Sequence, residues 1–214
     1  MSGCCTPKGY SQIFSERSAR AQARSYRRKG PDDTSRRIVE LLKGQGVEGK
    51  TLLEVGGGIG AIQLELLKLG LARAVSIELT PTYEESAGAL LREAGVESRV
   101  ERRVMDFVDA GAEIEAADIV VMNRVICCYP DLPRLAGAAA EHAKGLLVMS
   151  FPKERWWTRI IAWMTNFGMA ATRREFRFFL HPMRQIEAVT REHGLKPAIS
   201  QPGLFWQITA MQRG

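Results

Sequence analysis

The stretch LLEVGGGIGAIQLELL, residues 52–67, joins an apolar run to a helix-like run through a glycine-rich turn. Gly56, Gly58 and Gly60 let a backbone turn sharply and approach a ligand without side-chain clash. The helix that follows presents free amide groups at its positive end. Gly56-x-Gly58-x-x-Ala61 satisfies the dinucleotide pattern, so the glycines alone do not name the ligand. Glu54 narrows the choice: a carboxylate two residues before Gly56 repels a pyrophosphate and attracts a cationic amino group.

Two more acids follow at telling places. Glu78 ends the second apolar run, 18 residues after Gly60, where an acid can take both hydroxyls of a ribose. Asp106-Phe107 ends the third, where the acid could read an adenine amine and the ring could pack on its face. Asp106 also suits a helix cap or turn. Beyond the fourth run comes NRVICCYPD, residues 123–131, which offers Asn123, Cys127, Cys128 and Tyr129. The chain's other two cysteines, Cys4 and Cys5, form a second pair near its start. Paired soft sulfurs suit zinc, arsenic or mercury, although a free cysteine is also a common small buried hydrophobe.

These residues need a frame. Short apolar runs at Thr51–Val55, Ala74–Glu78, Arg99–Met105, Ala117–Met122 and Gly145–Phe151 predict buried strands. Helical spacing fills Ile59–Leu69, Pro81–Ala94 and Leu132–Ala143, and helices are also expected over residues 11–28, Thr34–Lys43 and Pro182–His193. Such alternation predicts an α/β fold: a Rossmann-like doubly wound sheet, mostly parallel, with helices on both faces. Only Pro202-Gly203 separates LKPAISQ from LFWQITAM. A link that short forces antiparallel pairing, so one antiparallel strand is expected near the C-terminus.

With the glycine loop, Glu78 and the MDF of residues 105–107 in place, the chain resembles the class I S-adenosylmethionine-dependent methyltransferases. The resemblance covers residues 34–214. It implies that Glu54 and the loop Gly56, Gly58, Gly60 hold the methionine part of S-adenosyl-L-methionine, Glu78 the ribose and Asp106 the adenine, with Phe107 and Asn123 beside them. VVMNRVICCYPD and LLVMSFP, with the arginine-rich start, are similar to the magnesium-protoporphyrin O-methyltransferase branch. That branch carries His-Tyr where this chain has Cys128-Tyr129, so its porphyrin substrate is not carried over. An NAD(P)-dependent oxidoreductase is the alternative reading of the loop. It would need a separate substrate region with an acid-base group.

In an open parallel sheet ligands bind beyond the carboxyl ends of the strands, so Asn123–Tyr129 should meet the transferable methyl. Tyr129, His181 and Cys128 are the candidates for catalysis. His142 and His193 lie in helical contexts without a catalytic signal. No metal site is predicted outright, although a four-thiol cluster of both cysteine pairs would allow methylation of a bound metalloid.

Residues 1–50 hold 11 Lys/Arg against 5 Asp/Glu, and residues 51–214 hold 19 of each. We read 1–50 as a basic helical substrate cap, and 51–214 as the methyltransferase domain with an insert at 152–181. In that insert Trp156, Ile160, Trp163 and Phe167 recur at helical spacing. The stripe is expected to form a lid over a flat or apolar small-molecule acceptor with an anionic group. Packing on the core, a partner subunit or peripheral membrane contact would use the same face. Arg173, Arg174 and Arg177 could hold the acceptor's anionic group. A nucleic-acid methyltransferase would use the basic start, but no Asn-Pro-Pro-Tyr-like motif follows the fourth strand. Lacking an apolar run of 18 residues or a leader-like start, the chain is expected in the cytoplasm.

Overall fold

The computed structural model describes residues 9–110 and 113–214. Seven strands form one sheet: β1 (Thr51–Val55), β2 (Arg73–Glu78), β3 (Val100–Val104), β4 (Ala117–Asn123), β5 (Ala143–Pro152), β6 (Leu195–Gln201) and β7 (Trp206–Arg213). Their order is β3-β2-β1-β4-β5-β7-β6. The first five pair in parallel, and β7 runs antiparallel to both β5 and β6. The reversed strand expected from the Pro202-Gly203 link is therefore β7, wedged between β5 and β6.

Alternate residues of each central strand serve opposite cores. Leu53, Val55, Val120, Met122, Leu147 and Met149 face α7 (Leu132–His142) and α9 (Met183–Glu192). Leu52, Ile119, Val121 and Val148 face α3 (Asp33–Gly44) and α4 (Ala61–Lys68). Ile38 and Leu42 of α3 are fully buried there, so residues 33–44 are part of the sheet's covering layer. Each such buried aliphatic side chain contributes about 1.5–3 kcal/mol of transfer free energy.

The single helix expected over 11–28 is two. A one-turn α1 (Tyr10–Ile13) precedes α2 (Glu16–Lys29), and the Ser15 side chain caps α2 by accepting from Ser18 N–H. The arginine-rich run carries no apolar stripe that would mark this break. Ala19 and Ala23 bury α2 against α5 (Glu84–Glu93) through Tyr83, Leu90 and Leu91. Arg27 clamps Glu93 at 2.6 Å, and the Tyr26 hydroxyl meets Glu65 at 2.5 Å. The link after β3 opens with one helical turn, α6 (Phe107–Ala110).

Asp32 caps α3 by accepting from Thr34 N–H, Ser35 N–H and the Ser35 hydroxyl, and it pairs with Arg124 at 2.6 Å. It ties the amino-terminal helices to the end of β4. Replacing Asp32 with Ala should lower unfolding free energy in urea by about 1–2 kcal/mol. A change within about 0.5 kcal/mol, ordinary for surface positions, would contradict that role.

Candidate active site

The carboxyl ends of β1, β2, β3 and β4 open onto a cavity of ≈ 460 Å³. Gly56, Gly58, Glu78, Asp106, Phe107, Asn123, Cys128 and Tyr129 line it. Glu54 lies against Gly57 of the loop, Gly60 ends the loop as the N-cap of α4, and His181 contacts the wall through Tyr129 O; none of the three lines the cavity.

The loop's shape explains its composition. Gly56 has φ +67, and a Cβ there would come within 2.6 Å of Val125 Cγ2. Gly57, which sequence reasoning passed over, has ordinary φ but lies against an acid: its Cβ would sit 2.8 Å from Glu54 Cδ. A side chain at either position would drive the loop off the strand ends.

Glu54 is 1 % exposed, and its Oε2 has no hydrogen-bond partner. Burial pushes its carboxyl up to about 8, against the opposing pull of the Arg102 guanidinium. Glu78, also buried, accepts from Gly58 N–H. Burial pushes its carboxyl up to about 7, with the Gly58 N–H and Arg102 pulling the other way. Arg102 is the functional residue that sequence reasoning missed. From β3 it donates to Glu84 at 2.8 Å, to Gly58 O at 3.1 Å and to Ser76 Oγ at 3.2 Å. It straps the loop to α5 and is the nearby positive charge for both acids.

Asp106 does two jobs. It accepts from Val108 N–H, capping the turn as a short acid can, and from the Tyr129 hydroxyl at 3.2 Å. Phe107 is buried edge-on against His142. Asn123 is fixed by the Ser150 hydroxyl, which donates to it at 2.6 Å, and it donates in turn to Ser35 Oγ.

Among the three catalytic candidates, Tyr129 and Cys128 reach the cavity wall. Burial and the Asp106 carboxylate hold the Tyr129 hydroxyl well above its ordinary range. His181 hydrogen-bonds Tyr129 O at 3.0 Å, and burial holds it below the ordinary imidazole range. Both thiols point to Arg124 O, and their sulfurs lie 3.8 Å apart. The bond to Cys128 and burial hold the Cys127 thiol well above its usual range, which disfavours a thiolate there. Among the described residues no three His, Cys, Asp or Glu side chains gather as a metal site. Cys4 and Cys5, and with them the four-thiol cluster, lie outside the described residues.

The insert behaves differently from its expectation. Helix α8 (Trp156–Ala171) contributes nothing to the cavity, and its aromatic stripe faces outward. Periodicity marks which residues share a face, and Thr158 and Ala162 on the other face took the buried side. Tyr10 of α1 and Phe14 just after it line the cavity instead, and Phe176, further along the insert, backs them. Tyr10, Phe14 and Phe176 pack together with ring centroids 5.5–6.0 Å apart. The Tyr10 hydroxyl donates to Cys128 O, and Phe179 N–H to Cys127 O at 2.7 Å.

A family profile described as "Methyltransferase domain" matches residues 24–198. The chain belongs to that family. It is a class I S-adenosylmethionine-dependent methyltransferase domain, and the oxidoreductase reading of its loop is set aside. Among curated relatives, it is similar to the ribosomal protein L11 methyltransferase of Pectobacterium carotovorum subsp. carotovorum, 30% identical over 127 residues, 55% of this chain and 43% of that protein. It is 29% identical over 168 residues to that of Yersinia pseudotuberculosis serotype I, 78% of this chain and 52% of that protein. The methyltransferase thus spans about half the length of the curated relatives it matches. Among solved structures, magnesium protoporphyrin IX methyltransferase from Synechocystis PCC 6803 with bound SAH superposes with a TM-score of 0.74 at 15% identity, over 97% of this chain and 98% of that one. An O-methyltransferase family protein from Burkholderia thailandensis reaches 0.74 at 22%, over 96% and 63%. These two likenesses bear on the fold.

The residues present fit the family's cofactor. An unpartnered buried carboxylate oxygen under a close-approach glycine loop suits a ligand carrying a cationic ammonium. Folded Glu54 and Glu78 hold protons that the unfolded chain gives up above about pH 4.5. Their contribution to stability is complete below that value and is lost as pH rises through about 7 and about 8. Ligand-free protein should therefore lose urea stability between about pH 4.5 and 8, and Glu54→Gln should flatten that slope. An unchanged slope in the variant would contradict the burial argument.

Proposed function

We propose that the protein transfers a methyl group from S-adenosylmethionine to a small organic acceptor held beneath its amino-terminal helices. The observation that carries this reading is the roof: Tyr10 and Phe14 line the strand-end cavity, and Phe176 packs against both rings. A roofed cavity admits a small molecule more readily than a folded protein.

In this reading Glu54 and the loop Gly56–Gly60 hold the methionine part of the cofactor, Glu78 the ribose, and Asp106 with Phe107 the adenine, with Asn123 alongside. When bound, the cofactor supplies a methyl already activated on a sulfonium. The chain's residues then have to align an acceptor and exclude water. Of residues 1–50, expected as the cap, the part from Tyr10 to Arg36 lines the cavity, and the rings of Tyr10 and Phe14 offer apolar surface to a flat acceptor. The Lys29 ammonium lines the cavity and has no ion pair among the described residues, so it suits an anionic group. Cys128 and Tyr129 shape the transfer point. With the Tyr129 hydroxyl donated to Asp106 and His181 turned to a backbone carbonyl, an acceptor that needs no strong base, such as a carboxylate or thiolate, fits best.

Protein methylation is the second reading, favoured by the ribosomal protein L11 methyltransferases that the chain is similar to. Labelled S-adenosylmethionine incubated with a cell extract separates the two. Under the first reading label enters the small-molecule filtrate, and Glu78→Ala lowers its incorporation about tenfold or more. Label confined to a ribosomal protein would overturn it.

A further inference from the structure

We propose that α8 and its basic flanks form a docking face for an anionic lipid bilayer surface. Trp156, Ile160, Trp163 and Phe167 recur at i, i+4, i+7 and i+11, with Met164 beside them. Trp156 is 73%, Trp163 67% and Phe167 63% exposed. Single exposed apolar residues are ordinary, but a contiguous stripe of this size marks an interaction surface.

The helix is held in this orientation. Thr158 is fully buried and donates to Lys153 O at 2.8 Å. The Asn166 amide meets both the N–H and the C=O of Phe178 at 2.8 Å. Trp157 packs on Phe205, next to Leu204, which is itself exposed. These contacts anchor one face to the domain and turn the aromatic face to solvent.

Charge selects the occupant. Residues 156–171 contain no Asp or Glu, and 153–177 carry six Lys/Arg against two acids. Lys153, Arg155 and Arg159 stand at one end of the stripe, and Arg173, Arg174 and Arg177 at the other. Among the described residues none of the six forms an ion pair with an acid. A second copy docking on this face would bring like charges together. Anionic headgroups match both ends while the rings enter the interface, where tryptophan is favoured. No helix among the described residues is long and apolar enough to cross a membrane, so α8 would lie along the surface. The inference does not depend on the identity of the methyl acceptor.

The test is flotation of the full chain with phosphatidylglycerol/phosphatidylcholine vesicles and with phosphatidylcholine alone, at about 0.1 M salt. Binding to the anionic vesicles with a blue shift of tryptophan emission is expected. Trp163→Glu/Phe167→Glu should weaken it at least about tenfold, and Lys153→Gln/Arg155→Gln/Arg159→Gln at least about threefold. Both variants should keep the wild-type thermal shift with S-adenosylhomocysteine, since none of the substituted residues lines the cavity. No binding to anionic vesicles, equal binding to neutral ones, or full binding by the folded charge variant would overturn the proposal. So would a dimer, seen by sedimentation, that either variant dissolves.

Discussion

Two carboxylates, Glu54 and Glu78, are taken out of water at the ends of adjacent parallel strands, directly beneath a glycine loop. Desolvation opposes their charge, and the guanidinium of Arg102 offsets only part of it. Much of the local structure answers to that constraint. Gly57 is small so that the loop can lie on Glu54. Gly58 donates its N–H to Glu78. Arg102 reaches from β3 to Gly58 O and is itself held by Glu84. A cationic ligand at this place would supply the positive charge that the protein alone does not.

The cavity wall is built with the same economy of contacts. Arg124, in a left-handed conformation, receives both cysteine thiols on its carbonyl and pairs its side chain with Asp32. The cysteines thereby shape a turn whose carbonyls also hold the roof, through the Tyr10 hydroxyl and Phe179 N–H. The amino-terminal cap and the insert meet at Phe176.

Strand-helix alternation was legible because sheet burial forces near-continuous apolar runs. Thr51–Val55 and Leu195–Gln201 fall where LLEV and LKPAISQ predict them, and the short Pro202-Gly203 link encodes the reversed β7. The glycine loop and the acids at strand ends were legible because parallel topology leaves ligands only one edge. Arg102 was not: an arginine in VERRV looks like an exposed strand residue, and its partners are brought to it only by two crossovers. Phe176 was hidden in an irregular stretch without periodicity. The stripe of α8 could be read as a face, but its direction depends on Thr158, Ala162 and Asn166 finding partners elsewhere.

Proton release on ligand binding tests the central claim most directly. At about pH 6, below both raised carboxyl values, calorimetric titration with S-adenosylhomocysteine in two buffers of different ionisation enthalpy should reveal protons leaving the protein as its ammonium meets Glu54. Glu54→Gln should reduce the number released. Binding enthalpies that are independent of buffer, with Glu54→Gln indistinguishable from the parent, would contradict the account.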